Sequence, residues 1–165
     1  MTSSLSVPRP AAVEATLPIL LRQLKLARFR SHWQSLAAQA EAQGWSHSQF
    51  LYALCELESD QRQIARRERL LREAHLPWQK SLTDYDHHAL APEKWQELQA
   101  LSLSPDWLLR GENLLIFGPS GVGKTHLAGG ITMALIAMAQ PCRFFAATAL
   151  VQLLQKAQAV YELPA

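Results

Sequence analysis

Apolar residues recur at helical spacing through the first part of this chain, and a short unbroken apolar run interrupts that pattern further on. Pro18 opens an apolar-basic helix from Ile19 to about Leu26, and a second helical stretch follows through Trp33, Leu36 and Ala40 to Gly44, a residue suited to a C-terminal cap. Ser46 with Gln49 three residues on is a capping-box signature. Phe50, Leu54, Leu57, Ile64 and Leu71 then recur at helical spacing until Pro77, which predicts one long helix, with a possible break near Ser59-Asp60.

From Leu76 to Ala91 the periodicity stops, and Pro77, Ser81, Asp84, Asp86 and the pair His87-His88 read as an extended linker whose aromatics pack onto something else. Pro92 starts a short helix through Trp95, Leu98 and Leu101, and Ser104-Pro105 starts another that Gly111 ends. The run Leu114-Leu115-Ile116-Phe117 then suits a buried strand. A helix is expected from Lys124 to about Ala139 and a second strand over Cys142–Ala146. A last helix, capped by Thr148, carries Leu150, Val151, Leu153 and Leu154.

The expected fold class is therefore α/β: an N-terminal all-α unit over residues 1–75, a linker with short helices over 76–111, and the start of a parallel-sheet P-loop domain over 112–165. Between the first expected strand and its helix lies Gly118-Pro119-Ser120-Gly121-Val122-Gly123-Lys124-Thr125, the GxxxxGK[ST] or Walker A pattern. Each residue type has a reason to be there. A triphosphate is best held by backbone N–H groups, and glycines bring that backbone close without a Cβ in the way. The helix that begins near Lys124 turns its positive end toward the anion. Lys124 would reach the β- and γ-phosphate oxygens, and the Thr125 hydroxyl would join the Mg²⁺ shell. His126, directly after the motif, is counted with the ATP-binding residues and is expected to pack near the loop, not to transfer protons.

Composition narrows the setting. In 165 residues, 48% are hydrophobic and the mean hydropathy is −0.07, as for a globular protein of one ordinary domain or two small ones. No secretory signal or membrane span is visible, so a cytoplasmic protein without membrane contact is the expectation. Cys55 and Cys142 lack any CxxC spacing and read as core fillers, and His87-His88 have no partner ligands at a metal spacing. Glu58 and Asp60 do not form a catalytic pair, no catalytic residue is assigned, and the five tryptophans read as packing.

The net charge is only +2, but residues 61–72 hold five arginines against one glutamate. Arg62, Arg66 and Arg69 share a helix face, with Arg67 and Arg72 beside them; Arg22, Lys25, Arg28 and Arg30 are possible additions. Such a cluster either neutralises DNA phosphates or is a solvated face.

With the motif in place, the layout resembles the IstB-like transposition helper ATPases, relatives of the bacterial helicase loaders within the AAA+ class. The resemblance rests on Leu24-Lys25-Leu26, Phe50-Leu51, Leu57-Glu58, Arg62, the run from Arg66 to Ala74, Pro77, Lys80-Ser81-Leu82 and Tyr85-Asp86. It continues through the phosphate loop with Thr125-His126-Leu127-Ala128, then Phe144 to Ala147, Leu150-Val151 and Leu163-Pro164-Ala165. It implies ATP and Mg²⁺ as cofactors, duplex DNA and a transposase as partners, and a homo-oligomer. An adaptor that binds a replicative helicase is the alternative. Gly129-Gly130 departs from the family pattern, because each glycine inside a helix costs roughly 1 kcal/mol relative to alanine. The chain stops before the family's Walker B strand, so the expectation is a fragment or truncated frame that binds ATP weakly and does not turn it over.

Overall fold

The computed structural model describes residues 9–88 and 90–161, and these divide into two compact units between residues 65 and 66. The helices are α1 (Pro10–Gln23), α2 (Ala27–Gln43), α3 (His47–Glu73), α4 (Pro92–Leu103), α5 (Asp106–Leu109), α6 (Lys124–Ala137) and α7 (Ala147–Tyr161), with a 3₁₀ turn at Leu82–Asp84.

In the first unit, α1 begins at Pro10 and not at Pro18, which lies inside it. A proline at the first helical position has its φ already set and lacks an N–H that would go unpaired there. Pro18 forfeits an interior bond, yet the helix runs on to Gln23 and packs against α2. The turn between them passes through Lys25 at φ 56°, and the Arg62 guanidinium donates to the Lys25 carbonyl at 3.2 Å. Gly44 takes the left-handed conformation, φ 66°, and ends α2 as expected. The Ser46 amide donates to Gln49 Oε1 at 2.8 Å and the Gln49 amide to Ser46 Oγ at 3.2 Å, so the capping box forms. The helix it opens is unbroken through Ser59-Asp60.

Among the described residues of this unit, Leu21, Leu54 and Glu58 are buried. Glu58 takes over a task that the sequence of α2 leaves undone. Leu26, at the N-cap of α2, offers no side-chain oxygen, and Glu58 Oε2 accepts the Arg28 amide at 2.9 Å while Arg62 Nε donates to Oε1 at 2.9 Å. Burial pushes the Glu58 carboxyl upward. The Arg28 amide, the Arg62 bond and charge, and the Phe29 amide outweigh it and hold the group below its ordinary range.

In the second unit, Leu127, Ile131 and Leu135 are buried along one side of α6, and the helix packs against α4 and the 3₁₀ turn. Leu70, Ala74 and Ile136 form a core cluster, with Leu71, Leu76, Ala139 and Cys142 packed on it.

The expected sheet is not confirmed, because no strand occurs among the described residues. A strand exists through its pairing. Residues 114–117 find no ladder partner there, although they keep a two-residue alternation: Leu114 and Ile116 are half-buried, while Leu115 and Phe117 are 73% and 85% exposed. Residues 142–146 have a competing attachment, since the Phe144 amide donates to the Ala74 carbonyl at 2.8 Å, just beyond the end of α3. Cys55 is a correction, as it is exposed, whereas Cys142 lies half-buried at the core and burial pushes its thiol pKa up.

Candidate functional site

The loop from Gly118 to Gly123 meets α6 at Gly123, which occupies the N-cap position with φ 83° and leaves the helix without a side-chain cap. The first α-helical bond runs from the Leu127 amide to the Gly123 carbonyl at 2.9 Å. The amides of Lys124, Thr125 and His126 are thus the orphan donors of a 14-residue helix. With Gly121 at φ 86°, the loop makes two left-handed turns that residues with a Cβ rarely adopt. Lys124 folds back over the loop, its Nζ donating to the Pro119 carbonyl at 2.5 Å, and Pro119, Ser120 and Thr125 are exposed.

The segment read as a linker packs against α6. Ser81 and Asp84 form a capping box, the Ser81 amide donating to Asp84 Oδ2 at 2.8 Å. That amide, then the Ser81 hydroxyl, hold the Asp84 carboxyl below its usual range, with a small opposing push from desolvation. Leu82 packs where a Cβ on Gly130 would fall, 2.9 Å from its Cγ and 3.0 Å from its amide nitrogen. The unexpected glycine in α6 is therefore a close approach between helix and 3₁₀ turn. A Cβ on Gly129 would meet nothing within 4 Å, and nothing in the structure explains that residue.

His126 lies against this segment. Its Nε2 is 2.9 Å from the Ser81 carbonyl, which requires that nitrogen to carry the proton, and its ring meets Tyr85 edge-on at 5.4 Å. Tyr85-Asp86 carries part of the family resemblance, but nothing in its aperiodic stretch marks Tyr85 as packing beside the loop. His87 stacks on Trp95 at 4.8 Å and on His88 at 5.1 Å, and no group of three or more metal-ligating side chains occurs among the described residues.

The arginines of α3 divide by use. Arg62 braces Glu58 and the Lys25 carbonyl, and Arg66 donates to the Ala139 carbonyl at 3.1 Å, just past the C-terminal end of α6. Arg69 lies 3.8 Å from Glu73. Arg67 and Arg72 are exposed and make no ion pair or side-chain hydrogen bond among the described residues. No helix among the described residues is long and apolar enough to cross a membrane.

A glycine loop opening onto an uncapped helix that begins Lys-Thr is the geometry of the nucleotide-binding P-loop class. Residues 19–162 match the family described as IstB-like ATP binding protein, and the chain belongs to that family. It is 40% identical over 145 residues to an ATP-binding protein of an insertion sequence in Sinorhizobium fredii, covering 88% of this chain and 49% of that protein. An ATP-binding protein of insertion sequence IS5376 in Geobacillus stearothermophilus is 33% identical over 135 residues, covering 82% and 53%. That of IS21 in Pseudomonas aeruginosa is 30% identical over 145 residues, covering 86% and 53%. The chain thus spans about half the length of the curated relatives it matches.

Proposed function

We propose that this chain is the ATP-binding part of a transposition helper protein, holding Mg²⁺-ATP at residues 118–125 and engaging duplex DNA on behalf of a transposase. The observation that carries the reading is the uncapped start of α6, with Lys124 and Thr125 in its first turn beside two left-handed glycines. Its amide donors and Lys124 suit a polyphosphate, and Gly118 to Gly123 wrap it. Thr125 is one exposed hydroxyl, so the metal would arrive with the phosphate oxygens and not bind on its own. Mg²⁺ bound there would neutralise phosphate charge.

The DNA contact is assigned to the cations of α3, with Arg67 and Arg72 leading because Arg62 and Arg66 already have partners. Arg69 belongs to the same set, and a homo-oligomer acting in the cytoplasm completes the reading. Exposed Ile19, Leu20 and Leu24 on and just past α1, with Leu51 and Tyr52 on α3, favour a second reading: an adaptor that presents these apolar residues to a helicase-like partner. Co-sedimentation with bare duplex, with and without ATP, separates the two, since only the first requires ATP-enhanced binding.

Lys124→Ala tests the site itself. Loss of a charge-assisted contact is worth about 1.5–3 kcal/mol, so calorimetric titration should show ATP affinity falling roughly ten- to hundred-fold. Equal affinity in the variant would refute the assignment.

A further inference from the structure

Tyr85 is buried although its neighbours Asp86, His87 and His88 are exposed, and its position is fixed from several sides. Its hydroxyl donates to the Val122 carbonyl at 3.0 Å, 37 residues along the chain. Its ring lies so close to Gly123 that a Cβ there would fall 2.6 Å from Cε2. Trp95 stacks on it at 6.0 Å with planes 22° apart, and the His126 imidazole closes on it edge-on. The ring is thus held by α4 and the first turn of α6 while it rests on the two residues that turn the phosphate loop into the helix.

We propose that Tyr85 is a positioning residue for the phosphate loop, fixing Val122 and Gly123 in the conformation that aims the first amides of α6, and so setting polyphosphate affinity without touching the nucleotide. This rests on the nucleotide-site reading above. A loop with glycines at 118, 121 and 123 has many conformations open to it, and only a subset converges its amides on an anion. Apparent affinity scales with the fraction of molecules in that subset. Restraint must come from outside the loop, and the Tyr85 contacts supply it at the last turn before the helix.

The test compares the full chain with Tyr85→Phe, which removes only the hydroxyl, Tyr85→Leu, which also removes the ring, and Lys124→Ala. Mg²⁺-ATP and Mg²⁺-tripolyphosphate are titrated by calorimetry, and amide hydrogen exchange is followed without nucleotide. Tyr85→Phe should weaken both ligands equally, by roughly three- to ten-fold for one hydrogen bond, and Tyr85→Leu should weaken them further. In Tyr85→Phe the amides of residues 121–125 should exchange faster, while those of α4 and of Ile131–Ile136 stay unchanged. A purely structural residue would move the core amides together with the loop. Wild-type affinity in Tyr85→Phe, or a loss confined to ATP and absent with tripolyphosphate, overturns the proposal. If Lys124→Ala binds ATP as well as wild type, the nucleotide-site reading fails instead. The exchange rates of residues 121–125 then still decide whether Tyr85 holds the loop.

Discussion

Replacing Glu58 by Gln should destabilise the first unit, in a way that depends on pH. The carboxylate is 7% exposed and supplies the cap that Leu26 cannot give to α2. Losing an N-cap acceptor costs about 0.5–2 kcal/mol. The Arg62 guanidinium is largely in solvent, so the lost ion pair adds no more than about 1 kcal/mol. Gln keeps one acceptor oxygen for the Arg28 amide but loses the charge, so a decrease of roughly 0.5–2 kcal/mol at neutral pH follows for Glu58→Gln. Glu58→Ala should lose roughly 2–4 kcal/mol, because the Arg28 and Phe29 amides and the guanidinium are then all left without an acceptor. The carboxyl of the folded protein titrates below its ordinary 4.5, so its stabilisation is complete above that value and disappears as pH falls through the lower, folded one. Gln does not titrate. Urea unfolding followed by far-ultraviolet circular dichroism should therefore show a gap between wild type and Glu58→Gln that is constant near neutrality and closes in acid. A gap that stays constant in acid, or no gap at pH 7, would refute the capping role.

Two further perturbations probe α6 and α3. Gly129→Ala should stabilise the chain by up to about 1 kcal/mol, as expected for a helix interior with open space, whereas Gly130→Ala should destabilise it. The overpacking against Leu82 costs about 1–3 kcal/mol, and equal melting shifts for the two variants would contradict the close approach. Arg67→Ala with Arg72→Ala should lower the log–log salt slope of duplex binding by about 0.9 per lost phosphate contact. Arg66→Ala should instead cost about 0.3–1 kcal/mol of stability by freeing the C-terminal end of α6, and an unchanged slope in the double variant would make the cluster a solvated face.

Helix boundaries were legible where a local chemical signal sets them. Gly44 in the left-handed conformation and the Ser46–Gln49 box can be read directly, and both occur as read. Pro18 misled because a proline favours a helix start without forbidding the interior, and Pro10 supplies the same signal eight positions earlier. The strand read from Leu114 to Phe117 is unconfirmed for a different reason. Four apolar residues state an affinity for a buried strand, but pairing depends on a second segment, and residues 142–146 spend the Phe144 amide on Ala74. The arginine face was legible as a pattern, yet the duties of Arg62 and Arg66 were not. Those duties depend on carbonyls freed by Lys25 and Ala139, non-glycine residues at positive φ that no sequence rule would have selected.

The same distinction explains why the phosphate loop could be found from sequence while its support could not. A glycine loop followed by Lys-Thr announces itself because backbone conformation and charge must both be supplied within a few residues. The contacts come from 37 or more residues earlier, where no periodicity marks them: Leu82 seated on Gly130, Ser81 accepting from His126, and Tyr85 on Val122 and Gly123. Gly123 and Gly130 each face a side chain of that segment, so the segment and the start of α6 pack closely on each other. Among the described residues, the 3₁₀ turn packs against α6 and Tyr85 contacts Val122 and Gly123 at its start.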